Sequence, residues 1–219
     1  MAFKGRLRRF KGTQTKEECK YFPKDRGELK EIIKQRIKKD SECDLNDIWV
    51  GDITSMNYLF AGIKFNCDIS RWDVSNVKDM YAMFYKSDFN GDISSWNVSN
   101  VKDMGYMFAE SKFKGDISSW DVGSVESMIS MFEKSIFNGD ISDWDVGKVT
   151  DMTWMFEESK FNSDISKWDV SNLIHMNYMF SRSPFNGDIN SWDVKNARNM
   201  AYTFLHCPLE KNPPKWYRE

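Results

Sequence analysis

The sequence predicts an α/β repeat solenoid: 24-residue coils, each a short parallel strand plus a short helical turn, under an N-terminal capping helix. Three observations predict it. Phe65, Phe89, Phe113, Phe137, Phe161 and Phe185 recur every 24 residues, and Trp72, Trp96, Trp120, Trp144, Trp168 and Trp192 keep the same step. The stretch F-N-G-D-I-S alternates apolar and polar residues with the period of a strand. Met80, Met83 and Phe84 then fall at i, i+3 and i+4, the spacing of one helical face.

The elements follow in chain order. Residues 1–24 form a basic arm. Positions 1–40 carry 14 basic and 6 acidic residues, a balance of +8 that leaves −10 for the rest of a chain whose net charge is −2. Residues 25–44 are read as the capping helix and its connection. Asp25 and Glu28 have capping-box spacing, and Leu29, Ile32, Ile33 and Ile37 follow on one helical face over 26–39. Residues 45–208 are the solenoid. Its first coil is degenerate: Leu45, Val50, Ile53, Met56, Leu59 and Phe60 stand one period before Ile69, Val74, Val77, Met80, Met83 and Phe84. Residues 209–219 are a C-terminal cap, with Leu209 and Trp216 at the Phe and Trp positions of a coil cut short by Pro213 and Pro214. Altered end units suit an array whose terminal faces would otherwise expose core.

Within a coil, Cys67, Gly91, Gly115, Gly139, Ser163 and Gly187 read as the inward middle position of the strand, which must be small. Asn76 with Asp79, and Asn100 with Asp103, read as the N-cap and N3 pair of the short helix. One coil is too small to bury its own Phe, Ile, Trp, Val and Met side chains. Coils stacked about 4.8 Å apart cover one another.

The repeat also explains the composition. The chain has 219 residues, 41% apolar, with 13 Met and 9 Trp, and nearly all of these Met and Trp lie in the repeat frame. Balanced charge argues against a uniformly basic nucleic-acid binder. No apolar run approaches the ~18 residues of a membrane span, so no membrane insertion is expected. No secretion signal is legible at the N-terminus. That points to a cytoplasmic or virion-associated chain unless it is exported by another route.

The run FNGDISSWNVSNVKDMGYMF resembles the BspA-like leucine-rich-repeat surface proteins, the W-D-V-S-N-V-x-x-M-x-x-M-F family of mycoplasmas, gut bacteria and their phages. The likeness extends from Leu45 to Trp216. It implies a leucine-rich-repeat-like solenoid, often on cell surfaces, with adhesion or partner binding as its role. It brings no catalytic motif.

Candidate sites follow from columns of equivalent residues. The position between the two Met of each unit points away from the helical core stripe. It reads Tyr58, Ala82, Tyr106, Ser130, Trp154, Tyr178 and Tyr202. Tyr58, Tyr106, Trp154, Tyr178 and Tyr202 are therefore the candidate partner-binding residues, since exposed Tyr and Trp are favoured interface anchors. The competing reading is that each ring lies over its neighbour. The loops after Met-Phe, beginning Tyr85-Lys86-Ser87-Asp88 and Ala109-Glu110-Ser111-Lys112, vary between coils and would select the partner.

Two acidic rows run along the coils. Asp68, Asp92, Asp116, Asp140, Asp164 and Asp188 form one, beside Asn66, Asn90, Lys114, Asn138, Asn162 and Asn186. Asp73, Asn97, Asp121, Asp145, Asp169 and Asp193 form the other. Calcium is one reading of the first row, but the G-G-x-G-x-D motif is missing and Asp in a turn accepts backbone N–H bonds. No metal and no cofactor are expected.

Cys43 and Cys67 lie one period apart, close enough to stack. They are read as buried thiols rather than a disulfide, because in-register parallel strands present poor geometry for one. His175 and His206 belong to no catalytic or zinc motif, so no enzyme is expected. The functional expectation is a non-catalytic scaffold for protein–protein binding. The rivals are a surface or virion adhesin binding glycan or a host receptor, a structural part of an assembly such as a phage particle, and nucleic-acid binding through the basic arm.

Overall fold

The computed structural model describes residues 12–218. Lys4, Arg6, Arg8, Arg9 and Lys11 of the basic arm lie outside these residues. The one α-helix among the described residues is α1 (Arg26–Lys39); short 3-10 turns cover Lys16–Glu18 and Pro208–Glu210. Asp25 caps α1 by accepting the Glu28 N–H at 2.9 Å, and Glu28 reaches back to the Lys24 N–H at 2.9 Å. Leu29 and Ile33 are fully buried in the common core. Arg36 fixes the last turn by donating to both Asp47 carboxylate oxygens and to the Asp44 carbonyl.

The α/β assignment is overturned. The coils stack with a 24-residue offset, but among the described residues no sheet forms and no coil contains a helix. Neighbouring coils are joined by single parallel bridges, Ser55 to Asp79 to Asp103 to Ser127 to Asp151 to His175 to Asn199.

The segment expected to be helical is a ribbon of successive turns. In one coil the amides of Met107, Ala109 and Ser111 close turns onto the carbonyls of Met104, Tyr106 and Phe108. The alternate amides of Met104, Tyr106, Phe108 and Glu110 leave the coil for the carbonyls of Ser127, Ile129, Met131 and Glu133. Half of the N–H groups that an α-helix would keep thus go to the next coil. Tyr106 and Glu110 carry φ of 55° and 53°, and equivalent residues do so in every coil. Such left-handed residues interrupt the right-handed path of a helix. Asn76 and Asn100 accordingly cap nothing helical: their side-chain amides donate to the Gly51 and Ser75 carbonyls one coil back, both at 2.7 Å.

The F-N-G-D-I-S stretch is not a strand for a related reason. Side chains replace much of the backbone ladder there. Asn66 and Asn90 accept the amides of Asn90 and Lys114, and Asn138 and Asn162 accept those of Asn162 and Asn186, at 2.7–3.2 Å. The small residue in this stretch faces the core only at Cys67; the glycines and Ser163 at the equivalent position are partly exposed. Gly91 is partly exposed, and a Cβ there would come within 2.7–2.8 Å of the ring of Phe89, two residues earlier. Ser163 occupies the same position with its hydroxyl turned outward to the Asn138 carbonyl.

The core is a set of side-chain columns parallel to the stacking axis. Phe84 stacks on Phe108 with centroids 5.5 Å apart and on Phe89, five residues on, at 4.7 Å. Trp72 stacks on Trp96 at 6.4 Å with an interplanar angle of 2°. Each Trp of this column donates its indole N–H to an Ile or Leu carbonyl of the preceding coil, from Trp72 on Leu45 to Trp216 on Ile189, at 2.8–3.2 Å. This bond satisfies the one polar atom of an otherwise apolar column.

Residues 12–24 are docked rather than free. Gln14 is buried, donates to the Asn46 and Ile48 carbonyls and accepts the Val50 N–H. Tyr21 bridges to Ile48 in parallel. At the first coils the sulfurs of Cys43 and Cys67 stand 2.7 Å apart as buried free thiols. Burial, reinforced by the neighbouring Cys43, pushes the Cys67 thiol up to about 12.

Candidate functional site

The position between the two Met of each unit is a left-handed residue in every coil, with φ of 52–59° from Tyr58 to Tyr202. For a residue with a Cβ this backbone costs about 1 kcal/mol. The conformation belongs to the ribbon, since Ala82 and Ser130 share it. What differs between coils is the side chain mounted there.

The five expected residues do not form one stripe. Ala82 and Ser130 are buried and break the row, and the rings fall into two groups. The C-terminal group is continuous: Trp154 stacks on Tyr178 at 6.2 Å and 24°, and Tyr178 on Tyr202 at 4.9 Å and 26°. Trp154 is 37% exposed and Tyr202 51%. The rings stack along the axis and so present mainly edges outward.

The N-terminal group combines Tyr58 and Tyr106 with Tyr85 of the first variable loop and with Tyr81, which the sequence columns did not single out. Tyr81 sits between them, 5.4 Å from each ring, and Tyr85 meets Tyr106 edge-on at 6.3 Å. Tyr81 belongs to the adjacent column. It has room because position 105 is glycine: a Cβ on Gly105 would lie 3.0–3.1 Å from its ring. A large residue facing a glycine one period away was the signal in the sequence. Burial, with Tyr58 and Tyr106 beside it, pushes the Tyr81 hydroxyl up to about 12. Tyr58 is 44% exposed and Tyr106 half-buried. Lys30 of α1 donates to the Tyr58 carbonyl, which ties this group to the helix.

The charged loops after Met-Phe pair along the stack. Lys86 meets Glu110, Lys112 meets Asp88 and Arg182 meets Glu158, at 3.0–3.3 Å. Both acidic rows are turn formers. Asp92 and Asp140 each accept the N–H two residues on, as do Asp73 and Asp169. That bond from Ser142 holds the Asp140 carboxyl below its ordinary range, and Asp116, Asp164 and Asp188 are lowered by the equivalent bond. One carboxyl of a third row, the bridge row, behaves oppositely. Asp103 is pushed up by burial and by Asp79 one coil away. His175 continues that bridge row, its Nδ1 2.7 Å from the Asn199 amide. Among the described residues no three His, Cys, Asp or Glu side chains are grouped to hold a metal.

On another side of the stack, the groove at Lys148, Thr150, Asn172 and Asn196 has a volume of about 520 Å³. Glu126, Ile174 and Arg198 complete its lining. Asn172 and Asn196 use their amide nitrogens on the Gly147 and Ser171 carbonyls, which leaves their oxygens to the groove.

A family model described as a Mycoplasma protein of unknown function, DUF285, matches residues 28–136 and again 110–216. The chain belongs to the DUF285 family. The two matches overlap and together span 28–216, which takes in the coils and all but the first two residues of α1. No curated protein matches the chain, and no solved structure does.

Proposed function

We propose that this DUF285 chain is a non-catalytic scaffold for binding another protein, with Trp154, Tyr178 and Tyr202 as the principal contact and Tyr58 and Tyr106 as a second cluster. The observation that carries the reading is the C-terminal aromatic group. The ribbon needs a left-handed residue there and would accept a small one, as Ala82 and Ser130 do. Three successive coils instead mount large rings, two of them more than a third exposed. Exposed contiguous aromatic surface of this kind is characteristic of contact sites. Tyr and Trp dominate the energetics of protein interfaces. The rings are mounted on a backbone conformation that every coil shares, so they are pre-positioned and lose little entropy on binding. The BspA-like resemblance supports the same role at a surface.

The test compares capture from the native cells by wild type and by Trp154→Ser/Tyr178→Ser/Tyr202→Ser, with equal unfolding midpoints as the folding control. A protein bound by wild type and lost, or weakened at least about tenfold, by the variant is expected for an aromatic hot spot. Equal capture refutes this site.

Glycan binding is the second reading, favoured by the 520 Å³ groove at Asn172 and Asn196. Stacked rings that present edges make a poor sugar platform, whereas that groove offers amide, hydroxyl and cationic partners. Carbohydrate-array binding that survives the triple variant and falls with Asn172→Ala/Asn196→Ala selects it.

A further inference from the structure

We propose that the C-terminal end of the stack is a docking edge for an extended apolar segment of a different polypeptide, held by main-chain hydrogen bonds to the amides of Met200, Tyr202 and Phe204. In the inner coils the corresponding amides always find carbonyls on the next coil. Met152, Trp154 and Phe156 donate to His175, Asn177 and Met179. Met176, Tyr178 and Phe180 donate to Asn199, Ala201 and Thr203. Among the described residues the amides of Met200, Tyr202 and Phe204 meet no acceptor. The carbonyls of the same three residues are taken by Thr203, Leu205 and Cys207. The edge therefore offers donors at alternate residues.

Beside it lies a groove of about 410 Å³ whose apolar lining includes Val194, Ala197, Met200 and Trp216. Ala197 stands where the preceding coil has the buried Leu173, and Met200, unlike Met176, is only partly buried. A segment that adds here gains main-chain bonds from the edge and apolar contact from the groove, the logic of strand addition.

The occupant is not a second copy using either end of its own stack. Two such edges placed face to face would oppose N–H to N–H. At the other end α1 lies against the first coil: Leu29 and Ile33 are buried in the common core, and Arg26 donates to the Asn57 carbonyl, the equivalent of the Tyr81 carbonyl that accepts between inner coils. The partner is a heterologous chain with carbonyls at alternate residues and apolar side chains spaced as in V-x-x-x-x-M-x-x-M-F. The contact uses the Tyr202 amide and not its ring, so it stands or falls separately from the aromatic row.

The experiment is amide hydrogen exchange of the full chain, alone and with a synthetic peptide of residues 170–183, which carries this pattern. Expected for the free protein is fast exchange at Met200, Tyr202 and Phe204 against protection at Met176, Tyr178 and Phe180. Peptide should slow the three exposed amides about tenfold or more, the effect of closing a hydrogen bond. A scrambled peptide should not, and Met200→Lys should abolish the effect. Protection of the three amides in the free protein overturns the proposal, as does no slowing by peptide or equal slowing by the scramble. Concentration-dependent self-association that protects these amides also overturns it, because the occupant would then be another copy.

Discussion

Replacing an interior tryptophan tests whether the indole ladder stabilises the stack or merely fills it. Trp144 is 3% exposed, and its Nε1 donates to the Ile117 carbonyl at 3.1 Å. Phenylalanine at 144 would remove that donor and part of the ring. The Ile117 carbonyl still receives the Trp120 amide at 3.2 Å, so it is not orphaned. The loss is then one buried hydrogen bond, about 1 kcal/mol, plus about 1 kcal/mol for the missing ring atoms and the space they leave. Trp144→Phe should cost about 2 kcal/mol on this basis, and Trp144→Ala about 3–5 kcal/mol. At the end of the stack Trp216 makes the same bond, to Ile189 at 2.8 Å, but is only partly buried. Water can replace its donor, so Trp216→Phe should cost about 1 kcal/mol or less. Equilibrium urea unfolding followed by far-ultraviolet circular dichroism measures all three, with a constant slope as the check on two-state behaviour. Equal losses at 144 and 216, or a Trp144→Phe loss under about 0.5 kcal/mol, would refute the view that burial gives the ladder its value.

Three further outcomes follow from the charged rows and the thiols. The Asp140 carboxyl is lowered by the Ser142 N–H, so its contribution is present above the ordinary carboxylate range and is lost as pH falls through the lowered value. Asp140→Asn keeps the acceptor oxygen but not the charge, and should lower the pH 7 urea midpoint slightly, with the difference from wild type closing between about pH 5 and pH 2. Asp103 carries the opposite sign. Its carboxyl is raised by burial and by Asp79, so its contribution is greatest when protonated and is lost as pH rises through the raised value. Asp103→Asn, which can still accept the Gly105 amide, should raise the melting temperature at pH 7 and not at pH 3; a fall at pH 7 would show that the charge is needed. Cys67 is fully buried, with its thiol pushed up to about 12, and lies against Cys43. At pH 8 both should react with a maleimide only as fast as the chain opens, and immediately in denaturant. Fast native labelling at either position would contradict their burial.

Much of the molecule was legible in particular residues. The columns of Phe, Trp, Val and Met named the core, because a 24-residue period leaves each of them facing its own copy one coil away. Asp25 and Glu28 announced the start of α1. The Asp rows announced turns, because a short carboxylate readily accepts a nearby amide. The aromatic row was legible as residues but not as a site. The break at Ser130 stands in the sequence, but the insertion of Tyr81 between Tyr58 and Tyr106 depends on which neighbour each ring meets.

The sequence by itself determined the period, the buried set and the turn-forming side chains. Only the tertiary structure decided the backbone. Met104, Met107 and Phe108 have the spacing of a helical face, and a ribbon of turns buries them equally well. Choosing between the two depends on where the Met104, Tyr106 and Phe108 amides find acceptors. Those acceptors, on Ser127, Ile129 and Met131, exist only once the next coil is in place. A local pattern can specify which side chains are inside. It cannot specify hydrogen bonds to a partner 23 residues away.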